Sequence, residues 1–97
     1  MNDNLINLKQ STQPLNPTVK VIEKSTFYDI YIFFKDLSKE EVIVKHINNF
    51  LILTLSLRNK NNDLFTFKRM LYLNKVNIDK LKNTINTNFI CLKIPKS

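Results

Sequence analysis

The 97-residue chain contains no glycine. A phosphate cradle needs glycines so that backbone N–H groups can approach the phosphates, so Walker and Rossmann nucleotide sites are excluded. Turns requiring positive φ must then fall to asparagine, whose side chain tolerates the left-handed region. Asn48-Asn49, Asn61-Asn62 and Asn86-Thr87-Asn88 stand where such turns are needed. Cysteine occurs once, at Cys91, and histidine once, at His46. A lone thiol forms no internal disulfide, and zinc takes about four ligands, so neither a disulfide framework nor a metal site is expected. No cofactor is expected either. Long hydrophobic runs are missing as well: stretches such as Phe50-Leu51-Ile52-Leu53 are strand-sized, far short of the roughly 18 residues of a membrane span. The first residues, MNDNLINLKQ, lack a basic region followed by an apolar one, and a cytoplasmic protein is expected. Only two arginines, Arg58 and Arg69, accompany the lysines that make the net charge +7. Those lysines are dispersed one at a time from Lys9 to Lys96, the pattern of a solvated surface. A nucleic-acid partner is not expected, because its footprint clusters cations with exposed aromatics.

What is present is β-pattern. The length suits one core, and 43% hydrophobic residues argue against disorder. Residues 1–17 are polar, carry Pro14 and Pro17, and read as a flexible N-terminal arm. From Thr18 to Ser97 alternation takes over. TVKVIEK is followed by FYDIYIFFK, with Tyr28, Ile30, Ile32 and Phe34 in step. VIVKHI places Val42, Val44 and His46 on one face; Asn48-Asn49 reads as a two-residue hairpin turn; FLILTLSL then aligns Leu51, Leu53, Leu55 and Leu57. LFTFKRMLYL, KNTI and FICLKI complete the set, with one possible helical turn in NKVNIDKL. Ser38 and Glu41 have capping-box spacing, which predicts a short helical turn before VIVKHI. The total is about seven strands and almost no helix. That predicts an all-β protein, an antiparallel immunoglobulin-like sandwich of two sheets.

Catalysis finds little support. Asp3, Glu23, Asp29, Asp36, Glu40, Glu41, Asp63 and Asp79 read as turn and surface residues. His46 and Cys91 have no evident third group to orient them as a nucleophilic pair. No catalytic residue is predicted, and the protein is not expected to be an enzyme.

The order and spacing of these segments resemble the α-crystallin domain of small heat-shock proteins. SKEEVIVKHINNFLILTL matches that family's K-E-D-I-x-V, turn and apolar strand. FKRMLYLNKVNIDKL matches its F-x-R-x-[FY]-x-L-P and V-D-x-x-x-I segments, with Arg69 at the arginine. NFICLKIPK matches G-V-L-x-[IV]-x-L-P-K. The resemblance spans about residues 18–96. Departures are Lys35-Asp36 for Pro-Gly, Asn88 for the last glycine and Asn74 for the middle proline. It implies an ATP-independent chaperone of the stress response that holds apolar segments of unfolding client proteins. The implied client groove lies between VIVKH and LKNTI, lined by Val42, Val44, Leu81 and Ile85, with His46 and Asn83 at two further positions. Arg69 is assigned a structural or dimer-interface role. The loop RNKNND is shorter than the loop whose strand swaps between subunits in many bacterial members. A homodimer is expected; its mode is left open, with edge-to-edge pairing of the strand around Arg69 as the alternative to the swap. Many members carry an I-x-I-type motif after the last strand. Only Ser97 follows here, so assembly through that device is not expected. Ile6-Asn7-Leu8 in the arm is a similar triplet, and Ile6 and Leu8 are candidate groove fillers. Two alternatives share the sandwich: a CS-type co-chaperone adaptor with one defined partner, and a structural component of a protein coat.

Overall fold

A computed structural model describes the backbone of residues 12–14 and the whole of residues 17–97. Among these residues eight strands form two four-stranded sheets. The first contains β1 (Thr12–Pro14), β6 (Leu64–Tyr72), β5 (Phe50–Arg58) and β4 (Ser38–Ile47), in that spatial order. The second contains β2 (Thr18–Glu23), β3 (Phe27–Phe33), β8 (Phe89–Pro95) and β7 (Lys82–Ile85). β2 to β8 pair antiparallel throughout and are the seven strands of the sequence pattern. β1 is an eighth, paired parallel to the first three residues of β6, Leu64 to Thr66. The two sheets form a β-sandwich of the immunoglobulin-like kind that the strand pattern predicts.

Alternation explains why the sheets pack face to face. Leu51, Leu53, Leu55 and Leu57 of β5 face Ile30 and Ile32 of β3 and Ile90, Leu92 and Ile94 of β8 as the fully buried core. Phe34, Phe67 and Leu73 are buried around them. Each such side chain contributes about 1.5–3 kcal/mol by leaving water. No polar side chain among the described residues is buried. One helical turn, Ile78–Lys80, links β6 to β7, within the segment expected to hold one.

The missing glycines are replaced by several devices. Asn48 and Asn49 have φ of 52° and 68°, the doubly positive geometry of a tight hairpin between β4 and β5. Asn62 has φ 68°. Its loop is tied by Asn59 Oδ1, which accepts from the backbone N–H of Asn61 and of Asp63, each at 2.9 Å. The turn at Asn86–Asn88 is built differently. Asn86 Oδ1 accepts from the Asn88 N–H at 3.2 Å, and the Asn86 N–H donates to Phe89 O at 2.8 Å. None of its residues has positive φ. Asp36 and Lys75 also have positive φ, 57° and 54°.

The helical turn expected from Ser38 and Glu41 does not form. Ser38 already pairs with Arg58 in the β4–β5 ladder, with one register shift between Lys39 and Glu41. The Ser38 hydroxyl donates to Arg58 O at 3.3 Å, and the Arg58 Nε–H donates to Glu40 at 3.1 Å. A long cross-strand ladder satisfies more backbone groups than one isolated turn, whose nucleation is unfavourable.

Candidate client-binding edges

Among the described residues β4 ends the first sheet and β7 ends the second; each has one neighbouring strand, β5 and β8 respectively. Val42, Val44 and His46 lie opposite Leu55, Leu53 and Leu51, so they share the inward face of the leucines. Val42 and Val44 pack against the core but are only half-buried. Across the sandwich, Leu81 also packs against the core half-buried. Asn83 and Ile85 lie opposite Leu92 and Ile90, on the inward side of the second sheet, yet both are exposed. All six residues therefore sit on inward faces at sheet edges or, for Leu81, just before one.

An open cleft of about 450 Å³ joins the two edges where β4 begins and β7 ends. Its walls are Leu37, Ser38 and Lys39 on one side and Ile85, Asn86 and Thr87 on the other. Ile85 is the one residue of the expected groove in this lining. A second cleft of about 380 Å³ shares Leu37, Ser38 and Thr87 and extends toward Arg58 and Lys60. The lining at Leu37–Lys39 was missed by sequence reasoning, which had spent Ser38 on a helix cap. The extension of β4 back to Ser38 is what brings it to the edge.

His46 has a structural partner: its Nε2–H donates to Leu73 O at 2.8 Å, tying β4 to the end of β6. Cys91 lies on the outer face of the second sheet, between the inward Ile90 and Leu92. His46 and Cys91 thus belong to different sheets and different faces, and form no pair. Burial raises the Cys91 thiol above its ordinary 9.0, outweighing the opposing hydrogen bond from Tyr31. At neutral pH the sulfur is a protonated thiol, a poor nucleophile. No group of three or more potential metal ligands occurs among the described residues. No helix among them is long and apolar enough to cross a membrane.

Arg69 is half-buried on β6 opposite Leu53. Its guanidinium lies over the Phe67 ring, 5.3 Å from the centroid, a cation–π contact that tolerates partial exposure. β1 covers β6 only as far as Thr66, so the edge beside Arg69 has no neighbouring strand among the described residues. Ile6 and Leu8 lie outside the described residues.

The geometry defines a class: an edge-open α-crystallin-type sandwich without a catalytic constellation among its described residues. Solved structures that share the fold include small heat-shock proteins. Heat shock protein 16.0 from Schizosaccharomyces pombe superposes with a TM-score of 0.70 at 17% identity, covering 84% of this chain and 87% of that one. For hspA from Xanthomonas axonopodis the TM-score is 0.67 at 14% identity, over 82% and 92%. For HSP18.5 from E. histolytica it is 0.64 at 14%, over 82% and 86%. No family model matches the sequence, and no curated protein matches it. The chain has the fold of small heat-shock proteins at a sequence distance where fold alone is shared.

Proposed function

We propose that the protein is an ATP-independent chaperone that holds unfolding clients at the β4 and β7 edges. The observation that carries this reading is two sheet edges with incompletely buried apolar side chains, Val42 and Val44 on β4, Ile85 on β7 and Leu81 just before it, joined at one end by the cleft of about 450 Å³. An extended client segment gains main-chain hydrogen bonds from an unpaired strand edge, and its alternate side chains gain apolar contacts in the cleft. Covering exposed apolar segments slows client–client association without any chemical step, so no catalytic group or cofactor is called for. His46 and Asn83 make the groove more polar at two points.

The same logic assigns the dimer to β6. Its edge from Phe67 to Tyr72 is free of β1, and antiparallel pairing with a second copy would cover that edge and bring two Arg69 strands together. Ile6 and Leu8 are the proposed occupants of the β4–β7 cleft in the resting protein. Thr12 sits beside Leu64, opposite Arg58 and hence Ser38, so the chain enters the sheet at the end where the cleft opens. A cytoplasmic location and a stress-linked role belong to the same proposal.

The test is light scattering of a heat-stressed model client with increasing amounts of the protein, without ATP. Suppression near one-to-one is expected. No suppression by folded protein overturns the reading and favours an adaptor with one defined partner. Removal of residues 1–11 is expected to increase binding of an apolar dye; unchanged dye binding and oligomer size would remove Ile6 and Leu8 from the cleft.

A further inference from the structure

The outer face of the first sheet carries a second apolar surface, separate from the edges. Ile47, Phe50 and Tyr72 form one cross-strand row at the tip of the β4–β5 hairpin, and Lys45, Ile52 and Met70 form the next. Ile47, Met70 and Tyr72 are 51%, 55% and 63% exposed. Of the eight large hydrophobic residues that stand out from the described surface, five belong to this face: Ile43, Ile47, Phe50, Met70 and Tyr72. Phe50 and Tyr72 meet edge to face, with centroids 5.6 Å apart, which holds the rings at the tip rather than folding them inward. A clustered patch of this kind marks an interaction surface, whereas scattered exposed hydrophobics need no explanation.

At the hairpin end of this face the charge has one sign; the nearest acid in the ladder, Glu41, lies opposite Ser56, one row beyond Ile43 and away from the tip. No Asp or Glu occurs from Val42 to Asn62, nor from Leu64 to Ile78. Lys45 lies within the patch. Lys68 follows Met70 on the same face, opposite Thr54 in the row of Ile43. Lys75 is exposed just beyond Leu73, whose N–H donates to Asn49 O at the hairpin tip. Lysines at the hairpin end disfavour stacking this face upon the same face of a second copy, while leaving edge-to-edge pairing through β6 open. Main-chain hydrogen bonds to an extended peptide come from the edges of a sheet, and this surface is a face formed by side chains. It can offer apolar side chains for shallow insertion, lysines for anionic headgroups, and a tyrosine suited to the boundary between them.

We propose that this end of the first sheet binds peripherally to anionic lipid bilayers, with Ile47, Phe50, Met70 and Tyr72 entering the headgroup region and Lys45, Lys68 and Lys75 meeting lipid phosphates and carboxylates. The binding is superficial and salt-sensitive, because the electrostatic attraction decays within a Debye length.

The test is co-sedimentation of the full chain with phosphatidylserine–phosphatidylcholine vesicles and with phosphatidylcholine vesicles alone. Binding to the anionic vesicles that weakens with added salt is expected, with little binding to the neutral ones. Lys45→Gln and Lys68→Gln, both at exposed positions, should each weaken binding about fivefold. Met70→Ser combined with Tyr72→Ser should abolish it, while Phe33→Ser, on the outer face of the other sheet, should leave it intact; circular dichroism verifies that each variant is folded. Three results would overturn the proposal: equal binding to neutral vesicles, no binding to anionic ones, or lysine variants that bind like the parent. A patch variant that alters the mass of the protein in solution while vesicles go unbound would assign the face to self-association instead.

Discussion

Val42 and Val44 stand directly opposite Leu55 and Leu53 in the same ladder, point the same way, and carry similar chemistry. Leu53 and Leu55 are 1% and 0% exposed, whereas the two valines are half-open. Nothing in the local pattern separates the pairs. The difference comes from position: β5 has a strand on each side, and β4 has a strand on one. An inward-facing apolar residue in a central strand becomes core. The same residue one strand outward becomes the wall of a groove. A sandwich therefore makes its own binding edges from ordinary strand alternation, provided that the edges are not covered.

The comparison breaks most easily at the core. Leu53→Ala should cost about 3 kcal/mol and lower the thermal midpoint by more than roughly 10 °C. Val44→Ala should cost about 1 kcal/mol. Thermal melts followed by circular dichroism measure both, and equal losses would show that the β4 edge is core. The second test works from the functional side. Ile85→Ser should change stability by less than about 0.5 kcal/mol yet weaken client suppression roughly fivefold, the equivalent of about one buried apolar side-chain contact. Loss of stability with unchanged suppression would reverse the assignment. Third, the hairpin turn controls where β4 lies as an edge. Asn49→Ala, at φ 68°, should cost about 1 kcal/mol, and Asn49→Gly should not.

The smallest effect concerns the opposite face. The Cys91 thiol is raised by burial, and the Tyr31 phenol is raised chiefly by the neighbouring Cys91 sulfur as it becomes a thiolate. Both groups bind protons more tightly folded than unfolded. Their contribution to stability is full below the ordinary thiol value near 9.0 and is lost as pH rises through the raised folded values. Urea melts between pH 8 and 11 should show a steeper alkaline loss in the parent than in Cys91→Ala. Parallel curves would mean that the pair is too exposed to couple to folding.

Much of the fold was legible in sequence because strand alternation is a local signal with period two. The leucine comb from Leu51 to Leu57, the Asn48-Asn49 turn and the seven-strand count all follow from neighbours in the chain. Ser38–Glu41 misled for the same reason. Its capping pattern is local, but its partner, Arg58, lies 20 residues away, and the longer ladder prevails. The candidate groove was legible only through its resemblance to a family. Alternation placed Val42, Val44 and Ile85 on inward faces but could not say which strands would lie at the edges. It therefore missed Leu37, Lys39, Asn86 and Thr87 at the mouth of the cleft. The grouping of the lysines was also beyond the reach of local pattern. Lys45 and Lys68 lie far apart in the chain, yet the register of three strands places them on one face.

By itself the sequence determined the class of structure: an all-β sandwich without glycine-dependent nucleotide chemistry or a disulfide. Those properties depend on composition and on the alternation of adjacent residues, which any fold of this chain must respect. Only the tertiary structure decided which apolar strands became core and which became open edges. It also decided that His46 would tie β4 to β6, that Cys91 would face away from it, and that five exposed hydrophobics would gather at one hairpin end. The reason is that burial belongs to a strand's neighbours on both sides, and in a sandwich most of those neighbours are distant in sequence.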